Sequence, residues 1–247
     1  MLVEIAALML AAAAIADPIA IERAIANPDR SATYRALDAN RKPVAILDFA
    51  GLRPGMRVLD VGTGGGYFTE MLADAVGPSG SVVGWSGPAF ARRPNVTSAL
   101  GRIRERFPNV TYYFTPTTSM ALPRESFDLV LLHLFYHDFY WESAEFGLAR
   151  VEPRYVAAQL FAAAKAGGTV LVVDHIANPG RDARAEVEAT HRIEPAVVRA
   201  DFEAAGFVFD GESAALRRAD DDHSLRIFNP AIRGKTDRFM FRFRKPR

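Results

Sequence analysis

The feature that most constrains the fold of this chain is residues 58–67, an apolar run that ends in an acid and then turns through glycines. The order Val-Leu-Asp-Val-Gly-Thr-Gly-Gly-Gly-Tyr is typical of a strand, a tight turn and the start of a helix. Glycine suits such a turn because a residue without Cβ adopts positive φ at little cost and lets a ligand touch the backbone. The segment therefore predicts an α/β protein with a phosphate- or nucleoside-binding turn.

The spacing of these glycines separates two kinds of nucleotide site. The dinucleotide fingerprint G-x-G-x-x-G would need a third glycine at position 67, which is Tyr67. Instead, Gly62, Gly64 and Gly66 follow Asp60 with a spacing that resembles motif I of the class I S-adenosylmethionine (SAM)-dependent methyltransferases. A glycine-rich turn in an unrelated α/β protein is the alternative interpretation.

Composition excludes several kinds of chemistry. The chain has 247 residues, of which 49% are apolar and 24% charged, as in ordinary globular proteins. It contains no cysteine, which excludes disulfides, thiolate metal sites and cysteine nucleophiles. Its formal net charge of +1 gives no reason to expect nucleic acid or an anionic membrane as a partner.

The N-terminal residues differ from the rest of the chain. Residues 5–16 form an uncharged apolar run that is too short to cross a bilayer and matches the apolar region of a signal peptide. Ala14 and Ala16 provide a small-x-small cleavage pattern, although the preceding residues lack Lys and Arg. We expect residues 1–16 to be removed and the protein to be exported to the periplasm. An alanine-rich helix on a cytoplasmic protein is the alternative.

The remainder predicts one α/β domain. A helical segment over residues 17–50 precedes a SAM-binding domain over residues 51–247. Strands are expected at residues 56–61, 81–85, 110–114, 127–134, 169–173, 207–209 and 238–243. Helices between these strands predict a mostly parallel seven-stranded sheet, Rossmann-like, with helices on both faces. The continuous apolar run 127–134 is typical of a strand buried on both faces, and alternation over 238–243 predicts one exposed face.

The resemblance to class I methyltransferases continues along the chain to its C-terminus. Lys165-Ala166-Gly167-Gly168-Thr169, expected to end a helix at its glycines, and Glu203-Ala204-Ala205-Gly206-Phe207 are similar to late motifs of that superfamily. Further stretches resemble a group of bacterial proteins classed as methyltransferases that often carry signal peptides: Arg41-Lys42-Pro43, Gly66-Tyr67-Phe68-Thr69, Tyr136-His137-Asp138, His191-Arg192-Ile193 and residues 229–236. The resemblance implies SAM as cofactor and leaves the acceptor, expected to be a small molecule, undefined.

The resemblance also implies roles for the glycine turn. In open α/β sheets the ligand lies beyond the carboxyl ends of the strands. Asp60 is implied to hold the ammonium group of SAM. The backbone of Gly62, Thr63, Gly64 and Gly66 is implied to line its carboxylate and ribose.

One departure concerns the end of the second strand, where the superfamily usually has an acid that binds the ribose. No Asp or Glu occurs between residues 75 and 104. Ser86, Asn95 or backbone groups are the candidate replacements for this acid. Trp85 is either a wall for the ribose or adenine or a packed core aromatic. Ser119 and Met120 lie where the superfamily contacts the adenine.

The segment after the fourth strand predicts the acceptor side. His137 is the candidate general base, with Tyr136 shaping the site and Asp138 tuning or binding, and the rate would follow a pKa near the ordinary value of about 6.5. His133, inside the apolar run, is predicted to be a hydrogen-bonded core histidine.

The same region contains side chains that could ligate a metal ion. His133, His137, Asp174 and His175 are acceptable ligands, but their spacing matches no metal motif, and no metal site is predicted. The acidic run 220–223 is predicted to be a solvated loop.

Three functions remain open, in this order. The first is a SAM-dependent methyltransferase. The second is a non-catalytic exported binding protein that kept the fold, which the missing ribose-binding acid and the expected export favour. The third is a nicotinamide oxidoreductase, disfavoured by Tyr67 in place of the third glycine.

Overall fold

The computed structural model describes residues 17–247. The expected signal segment, residues 1–16, lies outside the described residues. Across residues 17–247, no helix is both long and apolar enough to cross a lipid bilayer.

A seven-stranded sheet forms the centre of the molecule. Its strands are β1 (Arg57–Val61), β2 (Ser81–Ser86), β3 (Val110–Phe114), β4 (Phe127–His133), β5 (Ala164–His175), β6 (Val208–Glu212) and β7 (Arg238–Arg244). They are arranged in the order β3-β2-β1-β4-β5-β7-β6. Strands β1 to β5 pair in parallel, and β7 is antiparallel to both of its neighbours. This confirms the predicted α/β class and the mostly parallel seven-stranded sheet.

The strand order creates a crevice at the carboxyl ends of β1 and β4. The chain runs outward from β1 to β2 and β3, and then returns to place β4 on the other side of β1. Loops that leave β1 and β4 therefore diverge to opposite sides, which is where open α/β sheets bind ligands. Both the glycine turn and the segment that begins at Leu134 start from this edge.

Helices cover both faces of the sheet. They are α1 (Pro18–Ala26), α2 (Ala32–Arg35), α3 (Asp38–Arg41), α4 (Pro43–Phe49), α5 (Tyr67–Val76), α6 (Pro94–Arg106), α7 (Pro153–Ala163), α8 (Ala183–Thr190) and α9 (Pro195–Ala204). Helices α1, α4, α5 and α6 share one apolar layer, while α7 and α9 contribute to the other. Successive residues of β1 alternate between these layers, with Val58 in one and Leu59 in the other. Burial of both faces explains the nearly unbroken apolar runs of the central strands.

Three local expectations are wrong. The pair Gly167-Gly168 lies inside β5, because helix α7 already ends at Ala163. Strand β7 has no solvent-exposed face, because it lies between β5 and β6 and its residues from Arg238 to Phe243 are buried or half-buried. The acidic run 220–223 is not wholly solvated, because the buried Asp221 accepts two hydrogen bonds of 2.9 Å from the buried guanidinium of Arg192.

Candidate active site

The glycine turn after β1 is held in place by the neighbouring strand. The backbone N–H groups of Gly62 and Thr63 both donate to the carbonyl oxygen of Trp85, at 2.8 and 3.1 Å. Gly62, Gly64 and Gly66 have φ values of 77°, 53° and 89°, a region that L-residues other than glycine adopt at a cost. A Cβ added to Gly64 would meet nothing closer than 3.9 Å, so this glycine faces open space.

Asp60 is a buried carboxylate at the end of β1. Its Oδ2 accepts a hydrogen bond of 2.5 Å from the hydroxyl of Thr69, and it forms no ion pair within residues 17–247. Burial raises the pKa of Asp60 to about 6, against the opposing effect of hydrogen bonds from Thr69 and Thr63. The carboxylate is therefore largely ionised at neutral pH while lacking a cationic partner. Such a group favours a positively charged ligand.

A pocket of about 220 Å³ opens between the glycine turn and the N-terminal helices. Asp60 and Gly64 line it from the glycine turn, and Tyr34 and Arg41 line it from the N-terminal helices. The Tyr34 hydroxyl donates to the carbonyl oxygen of Gly65 at 2.6 Å, which fixes this wall to the turn. The sequence analysis did not identify Tyr34 or Arg41 as site residues. Arg41 lies within one of the motifs that resemble the bacterial group, which was the available signal.

His133 also lines this pocket, which corrects the expectation that it is a hydrogen-bonded core residue. It lies at the end of β4, with its ring 4.6 Å from that of Phe68. Its Nε2 atom is buried and has no hydrogen-bond partner within the described part of the chain. Burial, together with the charges of Arg41 and Arg238, lowers the pKa of His133 well below its ordinary value. The pocket therefore contains a neutral imidazole with an unused polar atom.

An aromatic ring packs against the first glycine of the turn. A Cβ added to Gly62 would collide with the ring of Phe135, which packs edge-on against Trp85 at 6.2 Å. Ser86, at the end of β2, is buried, and its hydroxyl has no partner among residues 17–247. Gly62 therefore packs against a side chain of this protein rather than facing open space, and the hydroxyl of Ser86, at the end of the neighbouring strand, is the polar atom without a partner in the described residues.

The four other candidate nucleoside contacts lie in different environments. Trp85 is fully buried, and its indole N–H donates to the Thr115 hydroxyl at 2.8 Å. This places Trp85 in the core, which is the alternative role that the sequence left open for it. Met120 is also fully buried, whereas Ser119 is exposed. Asn95 lies on the exposed surface of α6, where it is one of the residues around a separate surface pocket.

The predicted acceptor side is a short 3₁₀ turn, Tyr136–Tyr140, that follows β4. His137 is buried, and Asp174 at the end of β5 contacts it twice: Oδ2 accepts from the backbone N–H of His137 at 2.9 Å, and Oδ1 lies 2.7 Å from its Nδ1. Burial alone would lower the pKa of His137, but the carboxylates of Asp174 and Asp138 raise it to about 9. The expected pKa near 6.5 is therefore wrong for this environment.

Tyr136 does not face this site. It is fully buried and its hydroxyl donates to Asp201 at 2.9 Å, with its ring 5.2 Å from that of Phe202. This corrects the expectation that Tyr136 shapes the acceptor site. The side chain that joins His137 and Asp138 is instead His191, whose Nε2 lies 3.4 Å from Oδ1 of Asp138. His191 was noted only as part of a motif and not as a site residue.

Known proteins show what this arrangement is similar to. The family model described as protein-L-isoaspartate (D-aspartate) O-methyltransferase matches residues 35–87, which include Arg41, the glycine turn and β2. A SAM-dependent methyltransferase from Aquifex aeolicus is similar over 92% of this chain and 98% of its own, at 18% identity and a TM-score of 0.57. The fold is that of the class I methyltransferases.

Two further solved structures support this fold assignment. A SAM-dependent methyltransferase from Mesorhizobium loti is similar over 85% of this chain and all of its own, at 16% identity and a TM-score of 0.57. The arsenic(III) SAM methyltransferase CrArsM from Chlamydomonas reinhardtii is similar over 94% of this chain and 75% of its own, at 18% identity and a TM-score of 0.59. No curated protein matches the sequence.

Proposed function

We propose that this protein is a SAM-dependent methyltransferase that acts on a small-molecule acceptor. The observation that carries the proposal is the turn from Asp60 to Gly64 at the carboxyl end of β1, in a sheet of order β3-β2-β1-β4-β5-β7-β6. The turn places a buried carboxylate beside an open glycine, and Tyr67 replaces the glycine that a dinucleotide site would require.

The residues of the pocket fit the amino-acid end of SAM. Asp60 is a carboxylate without a cationic partner in residues 17–247 and complements an ammonium group. His133 provides a neutral polar atom, and Gly64 leaves room at the backbone. The pocket of about 220 Å³ is smaller than the roughly 300–1,000 Å³ of most ligand sites, so the nucleoside requires space beyond it. We expect that space to open by movement of the ring of Phe135, which packs against Gly62.

When bound, SAM supplies an electrophilic methyl group, and the task of the protein is to orient the acceptor and exclude water. We assign His137 and Asp138 to the acceptor side, with His137 as the candidate proton acceptor once it has lost the proton that its raised pKa of about 9 retains at neutral pH. Tyr136 supports this turn from the core through its hydrogen bond to Asp201. Removing the imidazole in His137→Ala should lower turnover by about 10²–10⁴-fold, the usual contribution of a general base, while SAM affinity stays within about twofold.

A second candidate is an exported binding protein that keeps the fold without methyl transfer. Phe135 over Gly62 favours it, as does Ser86 in the place of the ribose-binding acid. Under this reading the wild type does not bind SAM, and Phe135→Ala opens an apolar space without creating a cofactor site.

Calorimetric titration with SAM, S-adenosylhomocysteine and NAD distinguishes the candidates. Saturable binding of SAM and S-adenosylhomocysteine to the wild type supports the methyltransferase. Absence of binding of both to the wild type and to Phe135→Ala contradicts it and favours the second candidate. Binding of NAD alone would point to a nicotinamide enzyme.

We also propose that residues 1–16 are removed on export. Asp17 would then be the first residue; its carboxylate caps α1 by accepting from the backbone N–H of Ala20 at 3.1 Å. A free ammonium at Asp17 could still donate to Leu52, whose carbonyl oxygen now accepts from its backbone N–H at 3.1 Å. N-terminal sequencing of native protein should begin at Asp17, and an intact Met1 in cytosolic extract would contradict the proposal.

A further inference from the structure

Two imidazoles and a carboxylate converge beside the acceptor-side turn. His137 and Asp138 belong to the turn after β4, and His191 ends helix α8. One donor atom from each residue lies within 4.8 Å of the others. The Oδ1 atom of Asp138 is 3.6 Å from Nε2 of His137 and 3.4 Å from Nε2 of His191.

These separations suit three ligands of one ion better than a hydrogen-bonded set. No hydrogen bond joins Asp138 to either imidazole, so the donor atoms converge without satisfying one another. Ligand atoms about 2.1 Å from a tetrahedral metal lie about 3.4 Å apart, close to both observed distances. We propose that His137, Asp138 and His191 bind a divalent transition-metal ion, a site that the sequence analysis did not predict.

A buried carboxylate orients the first of these ligands. Asp174 is fully buried, and its Oδ1 lies 2.7 Å from Nδ1 of His137, so that Nε2 is the atom left for the cluster. The carboxylate is itself fixed by the backbone N–H groups of His137 and His175, at 2.9 and 2.8 Å. A carboxylate behind a ligating histidine is the arrangement that proteins use to fix the imidazole tautomer and raise its basicity.

The third ligand is held by the chain on both sides of it. Helix α8 is capped by Asp182 at its start, and His191 ends it with a φ of 59°, an uncommon conformation for a residue other than glycine. The next residue, Arg192, is locked by its buried ion pair with Asp221. An uncommon backbone conformation that the surrounding structure holds in place is typical of functional positions.

The charge of the cluster favours a cation. Two carboxylates, those of Asp138 and Asp174, lie against His137, and neither pairs with Lys or Arg within residues 17–247. Two imidazole nitrogens and one carboxylate oxygen suit Zn²⁺ or Fe²⁺, whereas Mg²⁺ and Ca²⁺ prefer oxygen ligands alone. Three protein ligands leave at least one position open for water or a substrate atom.

The cluster is reachable from solvent on one side. The side chain of Asp138 is 17% exposed, while His137 and His191 are buried. The rings of Trp141 and Phe228 flank His191 at 4.6 and 5.0 Å, and Phe228 is exposed. An ion could therefore enter past Asp138, and the aromatic rings would form an apolar wall beside its open position.

The metal proposal does not rest on methyl transfer, and an ion on Nε2 would take the place of the proton-acceptor role assigned to His137. Its test measures metal binding directly. The full protein, freed of any histidine tag and treated with a chelator, is titrated with Co²⁺ and followed by visible absorption, and with Zn²⁺ by calorimetry. We expect one ion per chain and the intense visible bands of four- or five-coordinate Co²⁺. Absence of binding by the wild type overturns the proposal.

Variants locate the site. Asp138→Ala and His191→Ala should each weaken Zn²⁺ binding by about 100-fold or more, and Asp174→Asn by about 10–100-fold through loss of imidazole orientation. His223→Ala is the matched control, because it removes a histidine that also faces a carboxylate, that of Asp237, outside the cluster. Circular dichroism confirms that each variant is folded. Wild-type affinity in both Asp138→Ala and His191→Ala would overturn the proposal.

Discussion

Asp60→Asn tests whether the buried carboxylate is kept for its ligand rather than for the fold. Burial raises the pKa of Asp60 from its ordinary value of 3.8 to about 6 in the folded protein. The folded state therefore binds this proton more tightly than the unfolded chain does. As the pH rises from about 4 to about 6 the unfolded chain releases its proton first, and stability falls across that window.

The magnitude follows from the size of this pKa shift. A difference of about two units, at about 1.36 kcal/mol each, destabilises the ionised protein by about 3 kcal/mol at pH 7.5. About 1 kcal/mol of this is already present at pH 4.5, where the unfolded chain is mostly ionised. The amide of Asp60→Asn has nearly the same shape and no charge, and its oxygen can still accept from Thr69. We therefore expect the variant to be more stable than the wild type at pH 7.5 by up to about 3 kcal/mol. At pH 4.5 the difference in stability between the variant and the wild type should be about 2 kcal/mol smaller.

Urea unfolding at both pH values measures the effect, and calorimetry measures the cost to the ligand. SAM affinity of Asp60→Asn should fall by about 1–3 kcal/mol, the usual loss for a hydrogen bond to a charged group. An Asp60→Asn protein that is no more stable at pH 7.5, or whose stability falls with pH in parallel with the wild type, would refute the argument from burial. Unchanged SAM affinity would refute the role of Asp60 in binding.

Three further predictions concern the glycine turn, the acceptor side and the core. Gly64→Val and Gly51→Val both place a branched residue at positive φ with no close neighbour, and each should cost about 1–2 kcal/mol of stability. Only Gly64→Val should abolish SAM binding, and equal SAM affinity in the two variants would contradict a cofactor site at the glycine turn. His137→Ala should leave a folded protein that binds SAM, and parallel loss of SAM binding and turnover would show a structural role instead. Arg192→Ala leaves the buried carboxylate of Asp221 unpaired and should lower the free energy of unfolding, measured in urea, by about 3–5 kcal/mol. Arg199→Ala removes an exposed ion pair and should lower it by less than about 1 kcal/mol, and similar losses in the two variants would contradict the burial of the Arg192–Asp221 pair.

The alternation of the elements and the position of the glycine turn could be predicted from the sequence. Each depends on short-range patterns, such as the apolar run of β4 or the glycine spacing after Asp60, which act through local backbone preference and periodicity. The seven-stranded sheet followed from these patterns together with the superfamily resemblance. Helix α8, in contrast, was not predicted, since its stretch carries no strong apolar stripe.

The chemistry of the sites depended on tertiary structure. The ring of Phe135 packs over Gly62 and His191 meets Asp138, although these residues are remote in sequence. The Nε2 atom of His133 has no partner within residues 17–247, which depends on its surroundings alone. The pKa of His137 rises because β5 places a buried carboxylate beside it. A sequence specifies which groups can ionise or bind, whereas burial and neighbouring charges, which exist only after the strands have paired and the helices have packed, decide their charge and their partners.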